Sequence, residues 1–143
     1  MGDKLYSRNE AKISVFDSSV QGGDAVWEGL RVYDGKIFSL NKHIERLQAS
    51  AKTLAFTDIP SAEFIKNAIK ETLIANDMKS NVHIRLTLTR GIKITSGMDP
   101  RLNQNGSCLI VLAEFKPPVY NNETGIKLIT SHIRRNSPIH LVS

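Results

Sequence analysis

The sequence predicts an α+β fold: a two-layer sandwich in which a mostly antiparallel sheet carries two helices on one face. Segments with apolar and polar residues in alternation, the strand pattern, flank a region in which apolar residues recur every three to four positions, the helix pattern. Hairpin connections and a single helical crossover favour antiparallel pairing. With 143 residues and 41% hydrophobic composition, the chain is long enough for one domain with a real core.

The first part of the chain is predicted to form two or three strands. Lys12–Phe16 reads as a strand that ends in the turn-rich residues 17–19. Ala25–Tyr33 alternates, and its two faces carry Val26, Leu30 and Val32 against Trp27, Arg31 and Tyr33. Asp34-Gly35 is a strong two-residue hairpin signal, which predicts pairing with Lys36–Phe38.

The middle of the chain is predicted to form two helices. Asn41 can cap a helix that runs to about Ala55, and Ser61, after Pro60, is the natural cap of a second helix that runs to about Ala75. The apolar stripes of the two helices are Ile44, Leu47, Ala51 and Leu54, and Phe64, Ile65, Ala68, Ile69 and Leu73.

The last part of the chain is predicted to add three strands. Asn81–Thr89 alternates cleanly, and Gly91–Gly106 is a long polar loop of the kind that lines sites in many enzymes. Ser107–Phe115 is apolar on both faces, which predicts a central place in the sheet, and Ile126–Ile133 supplies a last strand. The free face of this sheet is left for something else to cover.

Charge, hydropathy and cysteine content disfavour several classes of function. The net charge is +5, but the 19 basic residues are scattered, so a solvated basic surface is favoured over nucleic-acid binding, which ranks last. No apolar stretch approaches membrane-spanning length, and the first residues lack a targeting pattern, so we expect a cytoplasmic protein without a membrane partner. Cys108, the single cysteine, lies in an apolar run and is expected to be an inert thiol.

Three polar positions on predicted strands are candidate ligand contacts. Trp27 and Arg31 share a strand face, with Gly29 between them, where a missing side chain leaves room for a ligand near the backbone. Arg85 lies in a similar row and would anchor a carboxylate if that face lined a pocket. Spacing alone favours ordinary solvent-facing strand residues at all three positions.

One pair on the first predicted helix is a candidate phosphate site. His43 and Arg46 lie three residues apart and therefore share a side of the helix. Spacing alone favours an arginine whose aliphatic portion packs on the protein while its guanidinium stays in water. The alternative is that the guanidinium binds a phosphate. The sequence has no glycine-rich phosphate loop, zinc-ligand spacing or serine-nucleophile elbow.

Beyond spacing, Gly22–Phe56 contains paired glycines, an aromatic–Glu–Gly–Leu–Arg run and a His-x-x-Arg-Leu helix. With these motifs the stretch resembles the opening domain of class IV aminotransferases, the pyridoxal-phosphate-dependent enzymes of the branched-chain and D-amino-acid type. His83–Gly91 and Ser131–Pro138 support it. The resemblance implies a family domain over residues 1–138 and a divergent tail at 139–143.

The resemblance assigns roles to four residues. Arg46 would hold the phosphate of pyridoxal phosphate, and Arg85 would bind or frame the substrate carboxylate. Trp27 and Arg31 would line the pocket, where Trp27, in place of the commoner Phe, leaves less room for the substrate side chain. The resemblance also implies amino-acid and 2-oxo-acid substrates, a larger cofactor-binding domain, and a dimer whose sites take residues from both subunits.

The resemblance further implies a lysine that bonds the cofactor, shortly after the stretch similar to Arg134–Pro138. Residues 139–143 depart from the family pattern there, and none of the eleven lysines occupies that place. We therefore assign no catalytic residue and expect no transaminase activity from these 143 residues alone, as for a truncated product. Two alternatives stay open: a non-catalytic dimerisation or decoy subunit of a full-length relative, and an aminodeoxychorismate lyase-like member.

Overall fold

A computed structural model of the chain describes residues 1–134, and these form a four-stranded sheet with the two long helices on one side. The elements are α1 (Ser18–Gly22), β1 (Ala25–Tyr33), β2 (Lys36–Ile37), α2 (Leu40–Thr53), α3 (Ala62–Ala75), β3 (Val82–Thr89) and β4 (Cys108–Phe115), with one 3-10 turn at Pro100–Leu102. The strand order is β2-β1-β3-β4 and every neighbouring pair is antiparallel. The predicted α+β fold is confirmed, and the predicted tail at residues 139–143 lies outside the described residues.

The core lies between the sheet and the two long helices. Inward residues of β1, β3 and β4 meet the apolar stripes of α2 and α3 in a single buried cluster, which confirms the predicted placement of both helices on one face. Its largest fully buried aliphatic side chains are Leu30, Val32, Ile44, Leu47, Ile65, Ile69, Val82, Ile84, Leu86 and Leu88. The other face of the sheet carries neither of the two long helices, and Trp27 on it is 57% exposed.

Two local predictions are confirmed by backbone geometry. Asp34 and Gly35 have φ values of 48° and 75°, the left-handed conformations that a two-residue hairpin requires, and they join β1 to β2. Ser61 caps α3, because its hydroxyl oxygen accepts a hydrogen bond from the backbone N–H of Phe64 at 3.1 Å.

The predicted cap of the first long helix is wrong. α2 begins at Leu40, before Asn41, and follows Ser39, whose φ is 51° and whose side chain makes no capping hydrogen bond. The backbone N–H of Phe38 still bonds the carbonyl of Arg31 in the sheet, at 3.0 Å. The chain therefore turns from sheet to helix within one residue, and the helix starts earlier than its side chains indicate.

Three strand predictions fail because they depend on neighbours that local periodicity does not specify. Neither Lys12–Phe16 nor Ile126–Ile133 forms a strand; their apolar side chains are largely exposed and no ladder pairs them. β4 is an edge of the described sheet rather than central, and β3 is flanked on both sides. The outward apolar residues of β4, such as Leu112, lie on the uncovered face instead of between two layers.

Candidate functional site: the open face of the sheet and the Arg46 cluster

The uncovered face, here called the open face, brings Trp27 and Arg85 into direct contact. Gly29 on β1 lies opposite Arg85 on β3, so no side chain stands between the arginine and Trp27 on the same strand as the glycine. The Arg85 Cζ atom lies 3.6 Å from the centroid of the Trp27 ring, a close cation–π stack. On the other side, Arg85 faces Leu112 of β4, so the guanidinium lies in an apolar and aromatic frame.

The glycine at position 29 preserves the space in the middle of this face. A Cβ atom added there would lie 3.5 Å from Nε2 of His83 and 4.0 Å from Cζ3 of Trp27. Both distances are ordinary van der Waals contacts, so a methyl group at this position would already touch the His83 ring. The gap inferred from the sequence is therefore present, with His83 at its border.

Arg31 and His83 form a second polar row across the open face, next to Glu114. Arg31 Nη1 donates a hydrogen bond to the carbonyl oxygen of Lys116 at 2.6 Å, while its buried Nη2 has no hydrogen-bond partner within residues 1–134. Burial, followed by the charges of Lys116 and Arg31, lowers the pKa of His83 below its ordinary 6.5. The protonated form of His83 is therefore disfavoured on this face.

The charge of the open face suits an anion. The outward positions of β1, β3 and β4 carry two arginines, Arg31 and Arg85, and one carboxylate, Glu114. A guanidinium binds a carboxylate through two parallel hydrogen bonds, and Arg85 is exposed on this face.

Arg46 lies apart from these residues, in the helix layer. Its Nε and Nη2 donate to Oε1 and Oε2 of Glu28, each at 2.5 Å, and Nδ1 of His43 lies 2.8 Å from the same Oε2. The Glu28 side chain is only 5% exposed, whereas that of Arg46 is 67% exposed. Burial acts to raise the pKa of Glu28, but the hydrogen bonds from Arg46 and His43 outweigh it and leave the pKa below 4.5.

The structure thus groups three of the four predicted site residues and separates the fourth. Trp27, Arg31 and Arg85 share the open face, while Arg46 lies with the opposite, helix-covered face. Sequence reasoning missed Glu28, although a signal was present. Glu28 occupies an inward position in the alternation of β1, between Val26 and Leu30, where an unpaired charge would be costly.

The arrangement at Arg46 fits a phosphate group. The guanidinium is held by a buried carboxylate along one edge, and its Nη1 makes no hydrogen bond to any described residue, so one edge remains for an anion. No group of three or more potential metal ligands occurs within residues 1–134. No helix in the same range is long and apolar enough to cross a membrane.

Comparison with known proteins identifies the family to which this fold and these residues correspond. Residues 25–142 match the model of the amino-transferase class IV family. The chain belongs to this family.

Among its relatives, the chain is similar to branched-chain-type members. It is 60% identical over 143 residues to branched-chain-amino-acid aminotransferase-like protein 2 of Arabidopsis thaliana, covering 100% of this chain and 26% of that protein. It is 40% identical over 136 residues to a putative branched-chain-amino-acid aminotransferase of Methanocaldococcus jannaschii, covering 94% and 46% of the two. The chain thus spans about a quarter of the first relative and just under half of the second.

A solved structure agrees with this assignment. The T.th. branched-chain amino acid aminotransferase with pyridoxamine 5′-phosphate superposes with a TM-score of 0.70 at 30% identity. The match covers 84% of this chain and 39% of that chain.

Proposed function

We propose that the chain is the small N-terminal domain of a pyridoxal-phosphate-dependent aminotransferase of the branched-chain or D-amino-acid type. In this proposal the domain binds and orients an amino-acid or 2-oxo-acid substrate and holds the cofactor phosphate. The observation that carries it is the open face, where Arg85 stacks on Trp27 at 3.6 Å beside the gap at Gly29. The reaction itself would need a second domain and a dimer partner, as in the family.

The open face supports substrate binding by the chain's own groups. Arg85 is the best-placed anchor for a substrate carboxylate, because its charge is fixed against an aromatic ring and faces outward. Trp27 would bound the substrate side chain and exclude water, and Arg31 would add positive charge through its buried Nη2. A bulky indole favours a compact substrate side chain over an extended one.

Arg46 supports the cofactor half of the proposal. It would hold the phosphate through the edge of the guanidinium that Glu28 leaves free. Pyridoxal phosphate, when bound, withdraws electrons from the α-carbon of the amino acid, which is the chemistry that amino-group transfer requires. The residues of this chain would hold and orient the two reactants rather than transfer the proton.

Trp27 allows a direct test, because it is the single tryptophan of the chain and touches the proposed anchor. We expect 4-methylpentanoate, an unreactive branched carboxylate, to change the Trp27 fluorescence in a saturable way as it displaces the Arg85 stack. Arg85→Met should abolish the saturable change. Arg101→Met, which removes an equal charge from an exposed loop, should leave it intact.

The fluorescence result decides the substrate part of the proposal. A titration that does not saturate in the wild type, or that saturates equally in Arg85→Met, would contradict it. Circular dichroism of both variants checks that the fold is retained.

A second candidate function is supported by the apolar character of the open face. Trp27 and Leu112 are about half exposed there, and such a face suits a macromolecular partner. We propose as the alternative that the chain acts as a non-catalytic decoy subunit that pairs with a longer class IV relative.

Native mass spectrometry of the chain mixed with such a relative tests this alternative. Heterodimers, with a loss of the relative's transaminase activity, are expected if it holds. Leu112→Glu should prevent them, whereas Ile74→Glu, an exposed apolar position on α3, should not. If the mixture contains only the two separate proteins at full activity, the decoy role is wrong.

A further inference from the structure

Glu28 is a buried carboxylate with an unusual neighbourhood. It occupies the inward face of β1, where its neighbours Val26 and Leu30 belong to the apolar core, and the residue is 4% exposed. A charge in such a layer is tolerated only when it is paired and hydrogen-bonded. Both of its oxygens are used, since Oε1 bonds Arg46 and Oε2 bonds Arg46 and lies next to His43.

The pairing restricts the direction of the Arg46 guanidinium. Two roughly parallel hydrogen bonds, from Nε and Nη2, fix the plane of the guanidinium as well as its position. His43 lies one helical turn before Arg46, and its Nδ1 is 3.4 Å from Nη2. A long side chain that is two-thirds exposed, and would otherwise sample many rotamers, is thereby held in one orientation.

Glu28 also has an opposite effect on any anion bound at Arg46. The pKa of this carboxyl lies below its ordinary value, so it carries a full negative charge at neutral pH and repels a phosphate nearby. Electrostatics alone would therefore make Glu28 harmful to phosphate binding. By orienting the guanidinium, Glu28 would instead favour phosphate binding. The two effects therefore predict opposite changes in phosphate affinity when Glu28 is replaced.

We infer that Glu28 is a positioning residue for the phosphate anchor, with His43 as its second partner, and that the orientation of Arg46 outweighs the repulsion of the phosphate. The inference rests on the proposed function, in which Arg46 holds the cofactor phosphate. Glu28 itself touches neither cofactor nor substrate. It acts through Arg46.

The decisive experiment is a ³¹P NMR titration of the chain with 4′-deoxypyridoxine 5′-phosphate, which lacks the aldehyde that would react with surface lysines. Glu28→Gln keeps the shape and removes the charge, and we expect it to weaken binding by about tenfold or more, the effect seen for partners that orient metal ligands. Glu45→Gln removes the same charge from an exposed position next to Arg46 on α2 and should not weaken binding.

A second readout separates orientation from a general loss of structure. The Nε–H resonance of Arg46, assigned with Arg46→Ala, should be distinct and slow to exchange in the wild type and in Glu45→Gln. In Glu28→Gln it should broaden or move to the position of free arginines. His43→Ala, which keeps the Glu28–Arg46 pair, should fold even if Glu28→Gln does not and should weaken binding, but less than Arg46→Ala does.

The outcomes distinguish this inference from the function on which it rests. If the wild type does not bind the ester, or if Arg46→Ala binds it as well as the wild type, the phosphate site itself is wrong and the inference falls with it. If Arg46→Ala loses binding while Glu28→Gln and His43→Ala bind equally or more tightly, only the positioning role is overturned.

Discussion

Gly91, the second residue after β3, should be the least replaceable glycine of this domain. Its φ is +103°, a conformation that side-chain-bearing residues rarely adopt. A Cβ added to it would lie 1.8 Å from the carbonyl oxygen of Gly106, whereas ordinary contacts begin at 3.4 Å. The obstacle is backbone, so no side chain can move aside to relieve it.

The surroundings of Gly91 oppose a shift of the chain at this point. Its carbonyl accepts hydrogen bonds from the backbone N–H of Ser18 at 2.9 Å and from Nδ2 of Asn103 at 2.8 Å. Its own N–H donates to the hydroxyl of Thr89 at 3.1 Å. Any displacement that makes room for a methyl group therefore stretches contacts to α1, to β3 and to the loop.

For Gly91→Ala we expect a loss of about 2–6 kcal/mol in the free energy of unfolding. Backbone strain contributes about 1–3 kcal/mol, and overpacking adds a further ~1–3 kcal/mol. Gly35→Ala is the matched control, because its φ is +75° and an added Cβ would meet nothing within 4 Å. It should cost only about 1–2 kcal/mol, the strain of a left-handed residue.

Urea unfolding followed by far-ultraviolet circular dichroism measures both variants, with the free energy taken from the midpoint and slope. The difference between the two alanine variants isolates the contact with Gly106, since both variants share the strain of positive φ. If Gly91→Ala and Gly35→Ala differ by less than about 0.5 kcal/mol, the usual range of an inconsequential surface substitution, the close approach of Gly106 does not constrain the domain.

Three further predictions concern single side chains. Arg90→Met should lose about 2–4 kcal/mol of stability in the same urea assay, because the Arg90 guanidinium bonds the Asp24 carboxylate and two carbonyls at the end of α2. Arg101→Met, which breaks a solvent-exposed ion pair, should leave the unfolding midpoint nearly unchanged. Equal losses of stability in Arg90→Met and Arg101→Met would contradict the larger effect expected at Arg90. The pKa of His83, measured by NMR, should lie below 6.5 and should move back towards 6.5 in Lys116→Met. Because the unfolded state binds the proton more tightly than the folded state, His83 should not affect stability above pH 6.5. It should destabilise the fold increasingly as the pH falls below 6.5. Cys108, whose pKa is raised by burial and by Asp17, should react with a disulfide reagent in mildly alkaline buffer more slowly than free cysteine, and an equal rate would contradict the assignment of an inert thiol.

Part of the candidate site could be predicted from the sequence because strand alternation is local. The two-residue period of Ala25–Tyr33 and Val82–Thr89 places Trp27, Arg31 and Arg85 on outward faces without knowledge of the partner strands. The contact between Trp27 and Arg85 could not be read in this way, since it requires the register that sets Gly29 opposite Arg85. The role expected of Arg46 came from family resemblance. Its ion pair with Glu28 joins α2 to β1, a contact between elements that no local pattern indicates.

The class of fold and the local signals that start its helices and its hairpin are encoded in short stretches of sequence. Helical and strand periods, the hairpin residues Asp34-Gly35 and the cap Ser61 act within a few residues, so they can be read along the chain. The edge position of β4, the absence of a strand at Lys12–Phe16 and the ion pair between Glu28 and Arg46 are set by tertiary contacts. Pairing between distant segments depends on which neighbours compete for the same sheet edge or the same charge, and no local pattern records that competition.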